Sequence, residues 1–190
     1  MTTGVRPTIA APAAALGEII FTATDIARAV EAVAAGIRSD FAGEPFIMVS
    51  VLKGAAVFTA DLMRALGNYP LTVDYMVVAS YGTGRTDGSS PDVRILKDLD
   101  RNPAGHNVLL VEDIVDEGFT LEYLLNNLRS RAPKAVRACA LVDKAFHRKT
   151  NAVVDYVGLQ GPDAFLVGYG LDHQERFRNL PYICKLQAPA

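Results

Sequence analysis

Four carboxylates crowd the stretch Val108 to Thr120: the apolar run Val108-Leu109-Leu110-Val111 leads into Glu112-Asp113, an apolar pair, then Asp116 and the turn Glu117-Gly118-Phe119-Thr120. Adjacent carboxylates at the end of a buried run could accept hydrogen bonds from sugar hydroxyls or hold a magnesium ion through its waters. Consecutive amides in a glycine-containing turn, backed by the first turn of a helix, form a cradle for phosphate. Each part has a plainer reading, since acids at strand ends are common surface residues and Thr120 can simply cap a helix. The whole arrangement points to a ligand carrying both sugar and phosphate. A second feature is the polar, glycine-rich stretch Tyr81 to Pro91, of a length usually reserved for lids over a site.

The elements that must position these residues follow from hydrophobic period. Ile26, Val30, Val33 and Ile37 recur at helical spacing behind Thr24 or Asp25 as a cap, predicting an amphipathic cover helix that ends near Arg38. Phe46 to Val51, apolar but for Ser50, and Asn107 to Val111, apolar after its first residue, suit strands buried on both faces. Between them, a helix is predicted over Ala55 to Leu66, a strand over Leu71 to Ala79, and a return strand over Val93 to Leu96 on the far side of the long loop. An acidic loop then leads into a helix near Thr120 to Arg131, with strands over Val136 to Val142, Val153 to Val157 and Phe165 to Gly168. Strands alternating with helical crossovers imply an α/β fold, a mostly parallel sheet with helices on both faces. In such a sheet ligands bind beyond the carboxyl ends of the strands, where Glu112 to Thr120 fall.

Composition narrows the classes. The 190 residues include 19 basic and 21 acidic side chains, a formal charge of -2, and half are hydrophobic, the opposite of a disordered chain. Area scaling buries about 70% of the unfolded chain's surface, enough for one good core. The longest basic cluster is His147-Arg148-Lys149, so neither composition nor patterning favours nucleic acid as a partner. Residues 1–16 are Ala-rich but interrupted by Pro7 and Pro12, and no apolar run reaches membrane-spanning length. They are expected to be a flexible tail on a single domain, 17–190, of a soluble cytoplasmic protein with no membrane partner. Cys139 and Cys184 lie far apart beside apolar residues and read as reduced core thiols.

The segment Glu112-Asp113-Ile114-Val115-Asp116-Glu117-Gly118-Phe119-Thr120 resembles the phosphoribosyl pyrophosphate (PRPP) signature of the type I phosphoribosyltransferases. Val51-Leu52-Lys53-Gly54 looks like that family's pyrophosphate loop, Ser80-Tyr81 like the start of its flexible catalytic loop, and Leu141-Val142-Asp143-Lys144 like its purine-reading segment. Phe165 to Asp172 and Phe177 to Ile183 resemble the C-terminal hood of its 6-oxopurine branch, the hypoxanthine-guanine phosphoribosyltransferases. The motifs keep family order from about Gly17 to Leu186.

The resemblance implies displacement of pyrophosphate from PRPP by N9 of hypoxanthine or guanine, yielding a purine nucleotide. It implies Asp116 as the catalytic acid/base facing purine N7, with Lys53, Gly54, Glu112, Asp113, Glu117, Gly118, Phe119, Thr120 and Arg178 around PRPP. Ile114, Lys144, Phe165, Leu166 and Asp172 would surround the purine: Lys144 donating to O6, Phe165 stacking, and the Leu166 backbone reading the amide edge. Magnesium would sit with Glu112, Asp113 and Asp172. The resemblance also implies a cis peptide at Leu52–Lys53, closure of the loop begun by Ser80 and Tyr81, and a homodimer or homotetramer.

One residue departs from the pattern. Where the family has Thr or Ser after the catalytic acid, this chain has Glu117. A carboxylate about 5 Å from a bound phosphate would repel it by roughly 1 to 3 kcal/mol per unit charge. Glu117 is therefore expected to point outward or to pair with a base. The same departure keeps open a non-catalytic nucleotide-sensing regulator, and the shared O6 keeps open a xanthine-preferring enzyme.

Overall fold

Residues 16–81 and 92–187 are described by the structure, a computed structural model. In chain order they form β1 (Leu16–Phe21), α1 (Ala23–Phe41), β2 (Phe46–Leu52), α2 (Ala56–Leu66), β3 (Leu71–Tyr81), β4 (Asp92–Lys97), β5 (Asn107–Val115), α3 (Phe119–Arg129), β6 (Ala135–Asp143), a 3-10 turn (Ala145–His147), β7 (Tyr156–Gln160), β8 (Leu166–Val167) and β9 (Ile183–Leu186). Most of the expected tail and residues 82–91 of the expected lid lie outside the described residues.

Six strands form one sheet in the order β4-β3-β2-β5-β6-β7. Every neighbour pair is parallel except the β3–β4 hairpin. Alternate residues of the central strands face opposite cores. Met48, Leu109, Val111 and Leu141 pack with Ile26, Val30, Val33 and Ile37 of α1 and Phe58, Leu62 and Leu66 of α2. Ile47, Val49, Val108 and Leu110 pack with Leu121, Leu124 and Leu128 of α3. Burying each such side chain contributes about 1.5 to 3 kcal/mol, and covering both faces explains the apolar runs Phe46 to Val49 of β2 and Val108 to Val111 of β5. Among the described residues, no helix is long and apolar enough to cross a membrane. Cys139 and Cys184 are both buried and unbridged.

A second, three-stranded sheet in the order β1-β9-β8 brings the two ends of the described chain together. Neither β1 nor β9 is anticipated by local pattern. Leu16 pairs with Leu186 and Ile19 with Cys184, partners separated by nearly the whole chain.

Several boundaries differ for local reasons. Thr22, not Thr24 or Asp25, caps α1: its side chain accepts from the Asp25 amide while the Asp25 carboxylate accepts from the Thr22 amide, a capping box. The helix runs on to Phe41, which is buried. β5 does not stop at Val111, because its ladder with β6 continues to Val115↔Asp143, so Glu112 and Asp113 are strand residues and not loop residues. α3 starts at Phe119 behind Gly118 and ends at Arg129. β7 begins at Tyr156 instead of Val153. The Asp155 amide donates to Ala138 O and the Asp155 carboxylate accepts from the Ala138 amide, so pairing starts only with Cys139↔Tyr156.

Candidate active site

The chain leaves β2 toward β3 on one side and later returns as β5 on the other, so the strand order reverses between β2 and β5. A crevice opens at that point because the connections depart in opposite directions. Glu112, Asp113, Ile114, Asp116, Glu117, Gly118, Phe119 and Thr120 line a cavity of about 570 Å³ there, together with His147.

The β2 end approaches this cavity closely. The Leu52–Lys53 peptide is cis. A Cβ on Gly54 would lie 1.6 Å from Asp113 Oδ2, so only glycine lets the loop come this near the carboxylate. Glu112 is buried, and its Oε1 has no hydrogen-bond partner among the described residues. Burial, then the neighbouring Asp113 charge, pushes its carboxyl well above the ordinary range. Asp113 is pushed up to about 6, by burial first, against amide hydrogen bonds from Ile114 and itself and the charge of Arg178. A buried carboxyl group with an oxygen unpartnered among the described residues, beside a half-buried one, fits a hard divalent cation. No group of three or more metal-binding side chains converges among the described residues. That donor set suits an ion keeping several waters or substrate oxygens, as magnesium does.

Asp116 stands at the strand's exit. Its Oδ2 accepts from Lys144 Nζ at 3.1 Å and its Oδ1 contacts His147 Nδ1 at 2.8 Å. Lys144 comes from the end of β6, where its amide donates to Val115 O. It is only 6% exposed, which removes the reading of a solvated surface lysine. A buried ammonium needs its partner, so Lys144 and Asp116 hold one another.

Gly118 turns the chain from Asp116 into α3 with φ +91°, and no side chain caps the helix. The first-turn amides are thus left for an anion, with the helix dipole behind them. Residues 148–150 press against this turn: a Cβ on Gly118 would lie 2.5 Å from Thr150 Oγ1 and 2.6 Å from Arg148 Cδ. Glu117, the departing residue, is paired with Lys149 Nζ, and its carbonyl accepts from the Lys149 amide at 2.9 Å.

Comparison with known proteins meets this geometry. A phosphoribosyl transferase domain model matches residues 17–174. A hypoxanthine-guanine phosphoribosyltransferase of Bacillus subtilis is 42% identical over 166 residues, covering 87% of this chain and 91% of the relative. The chain belongs to the hypoxanthine-guanine phosphoribosyltransferase family. The Mycobacterium tuberculosis member is 43% identical over 171 residues, 87% of this chain and 83% of the relative. A crystal structure of the Bacillus anthracis member superposes with a TM-score of 0.85 at 40% identity, covering 91% of this chain and all of that one.

The remaining residues that family resemblance selects are not among those lining the cavity. Phe165 is 56% exposed, its ring edge-on to His173 at 5.6 Å. Leu166 buries its side chain in the core, leaving its backbone for any contact with a ligand. Arg178 does not line the cavity: it pairs with Asp172 at 2.8 Å and Glu175 at 3.4 Å, donates to Gly170 O, and borders a separate hollow beside α1. Lys53 pairs with Glu175 at 3.0 Å. Ser80 and Tyr81 end β3, opposite Val93 and Asp92. His147 was missed by sequence reasoning. Its only signal was its place in a basic triplet, and its partners come from elsewhere in the chain.

Proposed function

We propose that this phosphoribosyltransferase acts in purine salvage, moving the 5-phosphoribosyl group of PRPP to N9 of hypoxanthine or guanine and releasing pyrophosphate. The observation that carries this reading is Asp116, held by buried Lys144 at the entrance to an uncapped helix N-terminus in a cavity at the sheet's switch point. Family membership supports the reaction class.

In this reading the amides of the turn from Gly118 into α3 bind the 5'-phosphate. Asp116 lies within reach of the base and manages the N7 proton as N9 attacks C1'. Lys144 offers donors only, so it selects a 6-oxo purine over a 6-amino one. Phe165 supplies an exposed ring for stacking, and Arg178 with Lys53 supplies cationic charge toward pyrophosphate from beside the β2 loop. Glu112, Asp113 and Asp172 would hold magnesium, which supplies charge neutralisation of the departing pyrophosphate when bound. The segment begun by Ser80 and Tyr81 is assigned to water exclusion over a cationic ribosyl transition state.

A cytoplasmic location and a homodimer or homotetramer complete the proposal. The buried, unbridged cysteines are compatible with a reducing compartment, and light scattering measures the assembly.

Nucleotide formation from PRPP and magnesium with hypoxanthine, guanine, xanthine and adenine tests the reading. Turnover of hypoxanthine or guanine but not adenine is expected, and Asp116→Asn should lower kcat by about 100-fold or more with PRPP KM nearly unchanged. Preference for xanthine would redirect the substrate assignment. Nucleotide binding without turnover of any base would favour a sensor.

A further inference from the structure

His147 sits at the end of the 3-10 turn after β6, with both ring nitrogens on carboxylates: Nδ1 is 2.8 Å from Asp116 Oδ1, and Nε2 is 3.2 Å from Asp163 Oδ1. A neutral imidazole has one N–H and can donate to only one of two ionised carboxylates, whereas the imidazolium donates to both. The turn fixes the backbone at this position, because the His147 amide donates to Lys144 O at 2.9 Å. The Phe146 ring lies edge-on to the imidazole at 4.3 Å. Lys144 and His147 therefore grip the two oxygens of Asp116 separately, and His147 also lines the cavity.

We propose that His147 is a positioning residue for Asp116, a strut whose ring N–H fixes the carboxylate toward the purine when Lys144 turns to the base. The proposal rests on the functional reading above, in which Lys144 donates to O6; an ammonium turned to the base loosens its hold on Asp116 Oδ2. Without a second partner the carboxylate would be free to rotate at that step. His147 keeps Oδ1 occupied, so Oδ2 is the oxygen presented to the base. Asp163, 81% exposed on the loop after β7, anchors the outer side of the ring.

The groups facing this strut are few. Asp116 faces it from the end of β5 and Asp163 from the loop after β7, while Lys144 acts through Asp116. On its own segment, Arg148 is turned to Asp143 and Lys149 to Glu117. The strut therefore predicts that removing the ring donor lowers kcat/KM for hypoxanthine while PRPP binding does not share the loss.

The test is steady-state kinetics on wild type, His147→Ala, His147→Gln and Asp163→Asn. His147→Ala should lower kcat/KM for hypoxanthine about tenfold or more and leave PRPP KM within about twofold. His147→Gln, whose amide can donate to Asp116, should recover part of that loss. Asp163→Asn removes only the outer carboxylate and should lower kcat/KM less than His147→Ala does. Wild-type kinetics in all three variants would overturn the strut and leave the function standing. So would an equal loss in His147→Ala and His147→Gln, which would mark a packing role. Absence of turnover in wild type would overturn the functional reading, and the strut with it.

Discussion

Glu117 carries a negative charge into the turn that the proposed function assigns to phosphate, and there it is paired with Lys149. The pair is half-exposed, and exposed pairs contribute about 0 to 1 kcal/mol to stability, so its value here lies in the field at the cradle and not in the fold. Lys149→Ala leaves the carboxylate uncompensated and should raise PRPP KM about three- to tenfold, in line with a few kcal/mol at most for two charges about 5 Å apart. Glu117→Thr added to Lys149→Ala should cancel that rise. A rise persisting in the double variant would show that Lys149 acts on PRPP directly. The carboxylates and the turn were legible in sequence because they are contiguous. Lys149 as the partner and His147 as a second grip on Asp116 were not, since each contact joins residues about thirty positions apart.

At the scale of elements, the loop after β2, the exit of β5 and the segment after β8 meet with almost no clearance. Gly170, with φ +99°, packs so that a Cβ would lie 2.1 Å from Gly54 O, and Gly54 in turn admits the Asp113 carboxylate. Gly170→Ala must lift one segment from the other in addition to the strain of a positive φ. It should lower stability by more than about 1 kcal/mol and raise PRPP KM, read from thermal melts and initial rates. An unchanged melt and KM would show that the two segments separate without consequence. Apolar period revealed β2, β5 and the cover helices, because burial on one or two faces leaves a repeating mark. It did not reveal β1 and β9, short strands whose pairing depends on chain ends meeting, nor the late start of β7, set by hydrogen bonds of Asp155 to Ala138.

For the whole molecule, chemistry and anchorage are at opposite ends of the sheet. Glu112 to Asp116 lie at the carboxyl end of β5, whereas Asn107 opens that strand and donates to Glu44 Oε2 at 2.9 Å. Lys134, ahead of β6, reaches the same oxygen at 2.6 Å, so Glu44 ties the approach to β2 to β5 and β6. Hydrogen bonds from Lys134 and Asn107 hold its carboxyl below the ordinary range. A carboxylate favoured in the folded state contributes stability above its unfolded pKa, and that contribution is lost as pH falls through the lower, folded value. Glu44→Gln should therefore lower Tm at neutral pH, with the gap from wild type closing as pH drops below about 4. Because the tie is remote from the cavity, kcat and both KM values should stay at wild type. A Tm gap independent of pH would mean that Glu44 contributes through its shape and neutral hydrogen bonds. A fall in kcat would mean that the two ends of the sheet are mechanically coupled.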